Sequence, residues 1–144
     1  MSIWHDGFPL DYADERGAGC MIEHLGIEIV EAGEDYVKGR MPVDARTRQP
    51  AGILHGGASV VLAETLASWA STFCVDRKRF HCVGLEINAN HVRPVADGHV
   101  EGIGRPVHLG RSTQIWEVRI SDGNGRLACI SRVTMAVLEK PSTY

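Results

Sequence analysis

Outside one central stretch, hydrophobic residues recur at every second position, the period of a half-buried β-strand. Leu25, Ile27 and Ile29 alternate with polar residues and glycine, and after a turn at Gly33–Asp35 the alternation resumes at Val37, Met41 and Val43. The two runs read as a hairpin. A loop rich in Pro and Gly, DARTRQPAGILHGG, follows. From Ala58 to Val75 the pattern changes to twelve apolar residues, five Ser or Thr and a single charge, Glu64. This predicts a helix apolar nearly all round, buried inside the protein. RKRF at 77–80 marks a solvated turn, after which Val83, Leu85, Ile87 and Ala89 share one face of a strand and Glu86, Asn88 and Asn90 the other. A turn at 96–98 precedes a strand over His99–Leu109, and Trp116, Val118 and Ile120 alternate in the next. The hairpin signal DGNG at 122–125 leads to a last strand over Arg126–Leu138.

Two strands, a long apolar helix and four further antiparallel strands describe an α+β domain. A flat sheet would leave one side of such a helix exposed, so the pattern favours a sheet curved around it. No linker, repeat or low-complexity segment divides residues 1–144, which read as a single domain with an N-terminal extension over 1–19 and a frayed tail over 139–144.

Composition narrows the function. A net charge of −3 and a pI near 6.1 leave no basic footprint for nucleic acid. Cys20, Cys74, Cys82 and Cys129 form no CxxC pair, so they read as small buried hydrophobes in a reducing compartment. The N-terminus, acidic and broken by Gly and Pro, is no signal peptide, and five hydroxyls with a carboxylate argue against the helix crossing a membrane. The seven histidines show neither HxxxH nor HExxH spacing, so no metal site is expected. A cytoplasmic protein without metal or other cofactor is the expectation.

The chemistry concentrates at 49–68. Gly56 and Gly57 stand before the helix, where first-turn N–H groups lack intrahelical partners and, with the positive end of the helix dipole, suit a thioester carbonyl or a developing oxyanion. Glu64 and Ser68 are four residues apart and share a helical face, so the pair can hold and activate a water, or the carboxylate can attack directly. Gln49 and His55 are close enough in sequence to touch the same substrate. Eight residues of helix between Gly56 and Glu64 span about 12 Å, too far for both to reach one carbonyl. If both act, two copies of the chain must share composite sites. No single residue here is diagnostic: double glycine is common loop chemistry, and serines cap and pack in many helices. The conjunction carries the argument.

The segment MPVDARTRQPAGILHGGASVVLAETLAS, with HLGI at 24–27, VGLEINANHVRPV at 83–95, HLGR at 108–111 and the closing TMAVL, resembles the hotdog-fold acyl-CoA thioesterases. The similarity is to the branch acting on aromatic acyl groups, including 1,4-dihydroxy-2-naphthoyl-CoA and aryl groups on the enterobactin synthase carrier protein. It implies an antiparallel sheet wrapped around one helix, homodimers with a continuous sheet, and a dimer of dimers. It also implies Glu64 as nucleophile or general base, the Gly56 N–H as polariser of the thioester carbonyl, Gln49 and His55 as substrate-orienting groups, and Ser68 as holder of the hydrolytic water. Glu64 and Ser68 would come from one subunit and Gln49, His55 and Gly56 from the other. Val83, Gly84, His91, Arg93 and the run His108, Leu109, Gly110, Arg111 match positions lining the acyl or coenzyme A parts of the site, with ordinary strand-end and surface roles as the plainer reading of each arginine. Trp69 and Val92 depart from relatives that carry a slimmer residue and a second histidine there, which bears on the choice of acyl group.

Two alternatives remain at this point. A hotdog enoyl-CoA hydratase or dehydratase also sets a His before the helix and an acid on it, and a non-catalytic acyl-CoA-binding protein shares the fold. LHGG resembles the hydratase loop less closely. The short N-terminal segment leaves no room for the DNA-binding unit of an acyl-CoA-sensing regulator.

Overall fold

The structure, a computed structural model, describes residues 1–142. Helix α1 (Leu10–Gly17) and a single turn α2 (Met21–His24) precede strand β1 (Glu28–Ala32), strand β2 (Val37–Pro42) and the long helix α3 (Gly56–Phe73). Strands β3 (Phe80–His91), β4 (His99–Leu109), β5 (Thr113–Ser121) and β6 (Leu127–Glu139) complete the chain. The fold is the α+β arrangement that the alternation and the lone apolar helix predict, and the hotdog arrangement that the resemblance implies.

The six strands form one antiparallel sheet in the order β1-β2-β4-β5-β6-β3. The β4–β5 and β5–β6 hairpins are local, the latter closed at Asp122–Gly125, where Gly125 adopts φ +78°. The strand after the helix is not local: β3 crosses to the far edge and pairs with β6 rather than with β4.

The helix packs closely because the sheet offers it no side chains at two points. A β-carbon on Gly39 or Gly102 would come within 2.7 or 2.8 Å of the Leu66 side chain. Leu62 and Leu66 are fully buried there, each contributing about 1.5–3 kcal/mol of apolar transfer. The sheet nevertheless leaves one stripe of α3 uncovered. Val60, Val61, Ser68, Trp69 and Thr72 are half-buried and Glu64 is exposed, a stripe at i, i+4 and i+8 spacing. The expected burial of Glu64 is therefore not met within one chain.

Other expectations shift in detail. Leu25 and Ile27 lie before β1, held by a turn in which the Ile27 N–H donates to Ile22 O at 2.9 Å. Phe80 begins β3 rather than ending a turn. A bulge between Gly84 and Glu86 inserts Leu85, so Val83 and Leu85 are exposed while Ile87 and Ala89 pack against the core. One extra residue flips the face of every later side chain, which a single alternation across the strand misses. The N-terminal stretch is structured: Trp4, Phe8, Leu10 and Ile22 pack against the core and Ala13 is buried in it. Cys129 is buried and Cys74 and Cys82 are half-buried, but Cys20 is exposed, contrary to the expectation for all four. Glu139 closes β6, and the Lys140 N–H donates to Arg79 O at 2.8 Å. The rest of the expected frayed tail includes residues 143–144, which lie outside the described residues.

Candidate active site

The loop between β2 and α3 is pinned at many points, and this fixes the residues at its end. Thr47, buried, donates from Oγ1 to Pro42 O at 2.7 Å, and the Arg48 guanidinium donates to Ala96 O at 2.9 Å. Backbone bonds Leu54 N–H to Val95 O and His55 N–H to Thr47 O, both 2.8 Å, bring the chain to the helix start. A tight turn over 49–53 projects Gln49, whose side-chain carbonyl accepts from the Ala51 N–H. Asp44 anchors the loop's first turn, accepting from the Arg46 side chain at 2.7 Å, and this bond holds its pKa down to about 2.

The helix begins earlier than its apolar run. Gly56 and Gly57 are its first two residues rather than its approach, and His55 is the N-cap, its Nδ1 accepting from the Gly57 N–H at 2.8 Å. An accepting Nδ1 leaves the ring proton on Nε2, a donor. Ala58 and Ser59 N–H groups both donate to His55 O. Among the described residues, nothing accepts from the Gly56 N–H. The helix thus presents one free donor at its positive end, as an oxyanion site requires. His91 packs against this residue: a β-carbon on Gly56 would lie 2.7 Å from the His91 Nε2. Gln49, Gly56, His91 and Arg93 line one cavity of about 370 Å³, with Val92 and Ser59.

Glu64 and Ser68 share a helical face, as their spacing predicts, and line a different cavity of about 400 Å³ with Val61, Thr65, Trp69 and Thr72. Gly84 closes in on this group, since a β-carbon there would lie 2.8 Å from Glu64 Oε1. Val83 is the neighbouring residue of β3. The run His108–Arg111 forms the β4–β5 hairpin end, where the Gly110 N–H donates to Thr113 O at 2.9 Å. Thr113 pairs with Ala136, which pairs with Val83, so this hairpin sits at the Gly84 end of the sheet. A single chain therefore gathers Glu64, Ser68, Trp69 and Gly84 at one place, with Val83 turned outward beside Gly84, and Gln49, His55, Gly56, His91 and Arg93 at another. It does not unite them. Met21 and Ile22 of α2 line the Glu64 cavity and escape sequence reading, because a four-residue helix carries no periodic signal.

Other chemistry finds no support. Burial pushes the Cys74 thiol up to about 12 and the Cys82 thiol to about 11, far from a reactive thiolate. Among the described residues no group of three or more His, Cys, Asp or Glu converges as a metal site, and no helix is long and apolar enough to cross a membrane.

Comparison with known proteins identifies the family. The family model described as the thioesterase superfamily matches residues 51–129, the span from the helix approach to β6. The 1,4-dihydroxy-2-naphthoyl-CoA hydrolase of Escherichia coli is 47% identical over 136 residues, covering 94% of this chain and 99% of the relative. The proofreading thioesterase EntH of Cronobacter turicensis is 46% identical over 136 residues, 94% of this chain and 98% of its own. The crystal structure of a mutant thioesterase PA1618 from Pseudomonas aeruginosa superposes with a TM-score of 0.95 at 44% identity, covering 96% of this chain and 100% of that one. By its sequence and its fold, the chain belongs to the thioesterase superfamily and is a thioesterase.

Proposed function

We propose that the chain hydrolyses acyl-CoA thioesters, aromatic acyl groups among them, to the free acid and coenzyme A, in sites that two copies build together. The observation that carries this reading is the division of the chemistry between two cavities that one edge strand connects. Gly84 on β3 abuts Glu64, and His91 on the same strand abuts Gly56. The other edge of β3 has no strand beside it among the described residues. Two β3 strands paired antiparallel about a two-fold axis between Ile87 and Asn88 set Gly84 near the partner subunit's His91. Glu64 then approaches the partner subunit's Gly56, which the helix distance forbids within one chain.

In such a site the thioester carbonyl accepts from the Gly56 N–H, with Gln49 and the Nε2 proton of His55 orienting the substrate. Glu64 either attacks the carbonyl carbon, expelling the coenzyme A thiolate and leaving an anhydride for water to cleave, or takes a proton from a water that Ser68 holds. On both routes the charge growing on the carbonyl oxygen meets the free N–H at the positive end of α3. Water and the protein's own groups suffice, so we infer no metal or other cofactor. Arg93 beside Gly56 and Arg111 at the hairpin end offer charge for the phosphates of coenzyme A. The indole of Trp69 in the Glu64 cavity supports an aromatic acyl group, as does the E. coli relative's name. A carrier-protein thioester presents the same reacting carbonyl and is a second donor class. Acyl-CoA is a cytoplasmic substrate, and the reading places the enzyme there, as a dimer or a dimer of dimers.

Mixed dimers test the shared site. A Glu64→Gln chain and a chain carrying Gln49→Ala with His55→Ala are each defective at every site. Co-folded, half of the dimers are mixed and each regains one intact site, so benzoyl-CoA hydrolysis should recover to about a quarter of wild type. Parents that fold and dimerise, with a mixture no faster than either, rule out sites shared between chains.

A further inference from the structure

Residues 1–24 precede the family match, and the reaction above gives them no part. Their aromatic side chains form a continuous series leading to the Glu64 cavity. Trp4 donates from Nε1 to Gly33 O at 2.6 Å and stacks on buried Trp116 with ring centroids 6.5 Å apart. Phe8 packs on Trp4 at 5.1 Å and on Phe73 at 4.6 Å. Tyr12 of α1 meets Phe73 at 6.0 Å and Trp69 at 6.1 Å, in both cases edge to face. Trp69 itself lies parallel to Phe73, with centroids 5.8 Å apart and planes 13° from each other. The Arg77 guanidinium covers the Tyr12 ring at 5.3 Å and the Phe73 ring at 4.8 Å, tying α1 to the C-terminal end of α3. One residue beyond Gly19 and Cys20, α2 places Met21 and Ile22 on the wall of the same cavity.

We propose that this N-terminal segment selects the acyl group: Tyr12 is a positioning residue that holds the Trp69 indole in one orientation, and Met21 and Ile22 occupy the space beside it that a long flexible chain would need. The class of acyl group favoured is a flat aryl. An indole already gripped by Phe73 and Tyr12 gives up little side-chain freedom when a ring stacks on it, so the contact adds to binding in full. A flexible alkyl chain gains nothing from a fixed ring plane and must pass Met21. The inference rests on the thioesterase reading and deepens it.

The experiment compares kcat/KM for benzoyl-CoA and decanoyl-CoA in the full-length protein. Tyr12→Ala should lower the benzoyl-to-decanoyl ratio roughly three- to tenfold, the size of one lost aromatic contact, with the change carried by KM more than kcat. Tyr12→Phe keeps the ring edge against Trp69 and should restore the wild-type ratio. Met21→Trp, at a position 60% exposed and thus compatible with folding, should depress decanoyl-CoA hydrolysis more than benzoyl-CoA hydrolysis. Equal losses on both substrates, or ratios unmoved in Tyr12→Ala and Met21→Trp, overturn the proposal while leaving the thioesterase reading intact. A wild-type protein that cleaves no acyl-CoA overturns both.

Discussion

The Oε1 atom of Glu64 lies 2.8 Å from the point that a β-carbon on Gly84 would occupy. The carboxylate on the open face of α3 is therefore seated against bare backbone of the edge strand, one residue before the Leu85 bulge. Gly84→Ala must push either the strand or the carboxylate aside. A misplacement of about 1 Å at a reacting group costs on the order of a hundredfold in rate. We expect kcat for benzoyl-CoA to fall by about that factor while the thermal midpoint of the folded protein changes little. A variant with wild-type kcat shows that the seat does not position Glu64.

Glu64 is exposed in the single chain and makes no packing contribution to the core. Glu64→Gln should accordingly fold and bind substrate normally, yet lose at least about a hundredfold in turnover, because the amide neither attacks nor accepts the water proton. Ser68→Ala should lose less, since a hydroxyl positions water without supplying electrons. Steady-state kinetics on both variants decide the roles. A larger loss at Ser68 points to the serine as nucleophile, and near-wild-type turnover in Glu64→Gln removes the carboxylate from the mechanism.

The free N–H at the start of α3 is open to direct deletion. His55, the N-cap, has φ −69° and ψ 130°, a conformation that a following proline favours, and proline is well accepted at the first helical position. Gly56→Pro thus removes the donor while keeping the helix. Both Gly56→Ala and Gly56→Pro place a β-carbon against the His91 ring, so their difference reports the loss of the N–H together with the ring carbon that replaces its hydrogen. Proline should be slower than alanine in kcat by about a hundred- to a thousandfold. Equal kcat values in the two variants exclude the N–H from carbonyl polarisation.

The loop that carries Gln49 has an acid-sensitive anchor. Hydrogen bonds from Arg46 hold the Asp44 carboxyl at about 2, below its ordinary 3.8. A depressed folded-state value means that the anchor's contribution is complete above about pH 4 and is lost as pH falls through about 2. Asp44 is half-buried and its ion pair with Arg46 is open to solvent, so Asp44→Asn should lower the thermal midpoint at neutral pH by a few degrees at most. That gap from wild type should close as the pH is brought down towards 2. Thermal unfolding across this range checks it, and a gap that stays constant contradicts the assignment.

Much of the architecture is legible in the chain because it is written in local periodicities. Val37–Met41, Trp116–Ile120 and the DGNG turn are each specified within a few residues of themselves, and Ala58–Phe73 can be nothing but a helix facing a core. The four-residue spacing of Glu64 and Ser68 likewise sets their common face, and the eight residues from Gly56 to Glu64 separate the donor from the acid by helix geometry alone. What the chain does not spell out is everything that depends on encounters between distant segments. The pairing of β3 with β6, the bulge at Leu85 that puts Ile87 and Ala89 on the face opposite Val83, and the seating of Glu64 on Gly84 and of Gly56 under His91 are absent from any local pattern. So is the role of Tyr12, Met21 and Ile22, whose short helices lack the length to show a period. A strand's alternation states which side faces inward but not which neighbour lies beside it, because backbone hydrogen bonds are the same for every partner. Only packing of α3 across the sheet, with Gly39 and Gly102 making room for Leu66, selects one arrangement and thereby leaves β3 at the free edge.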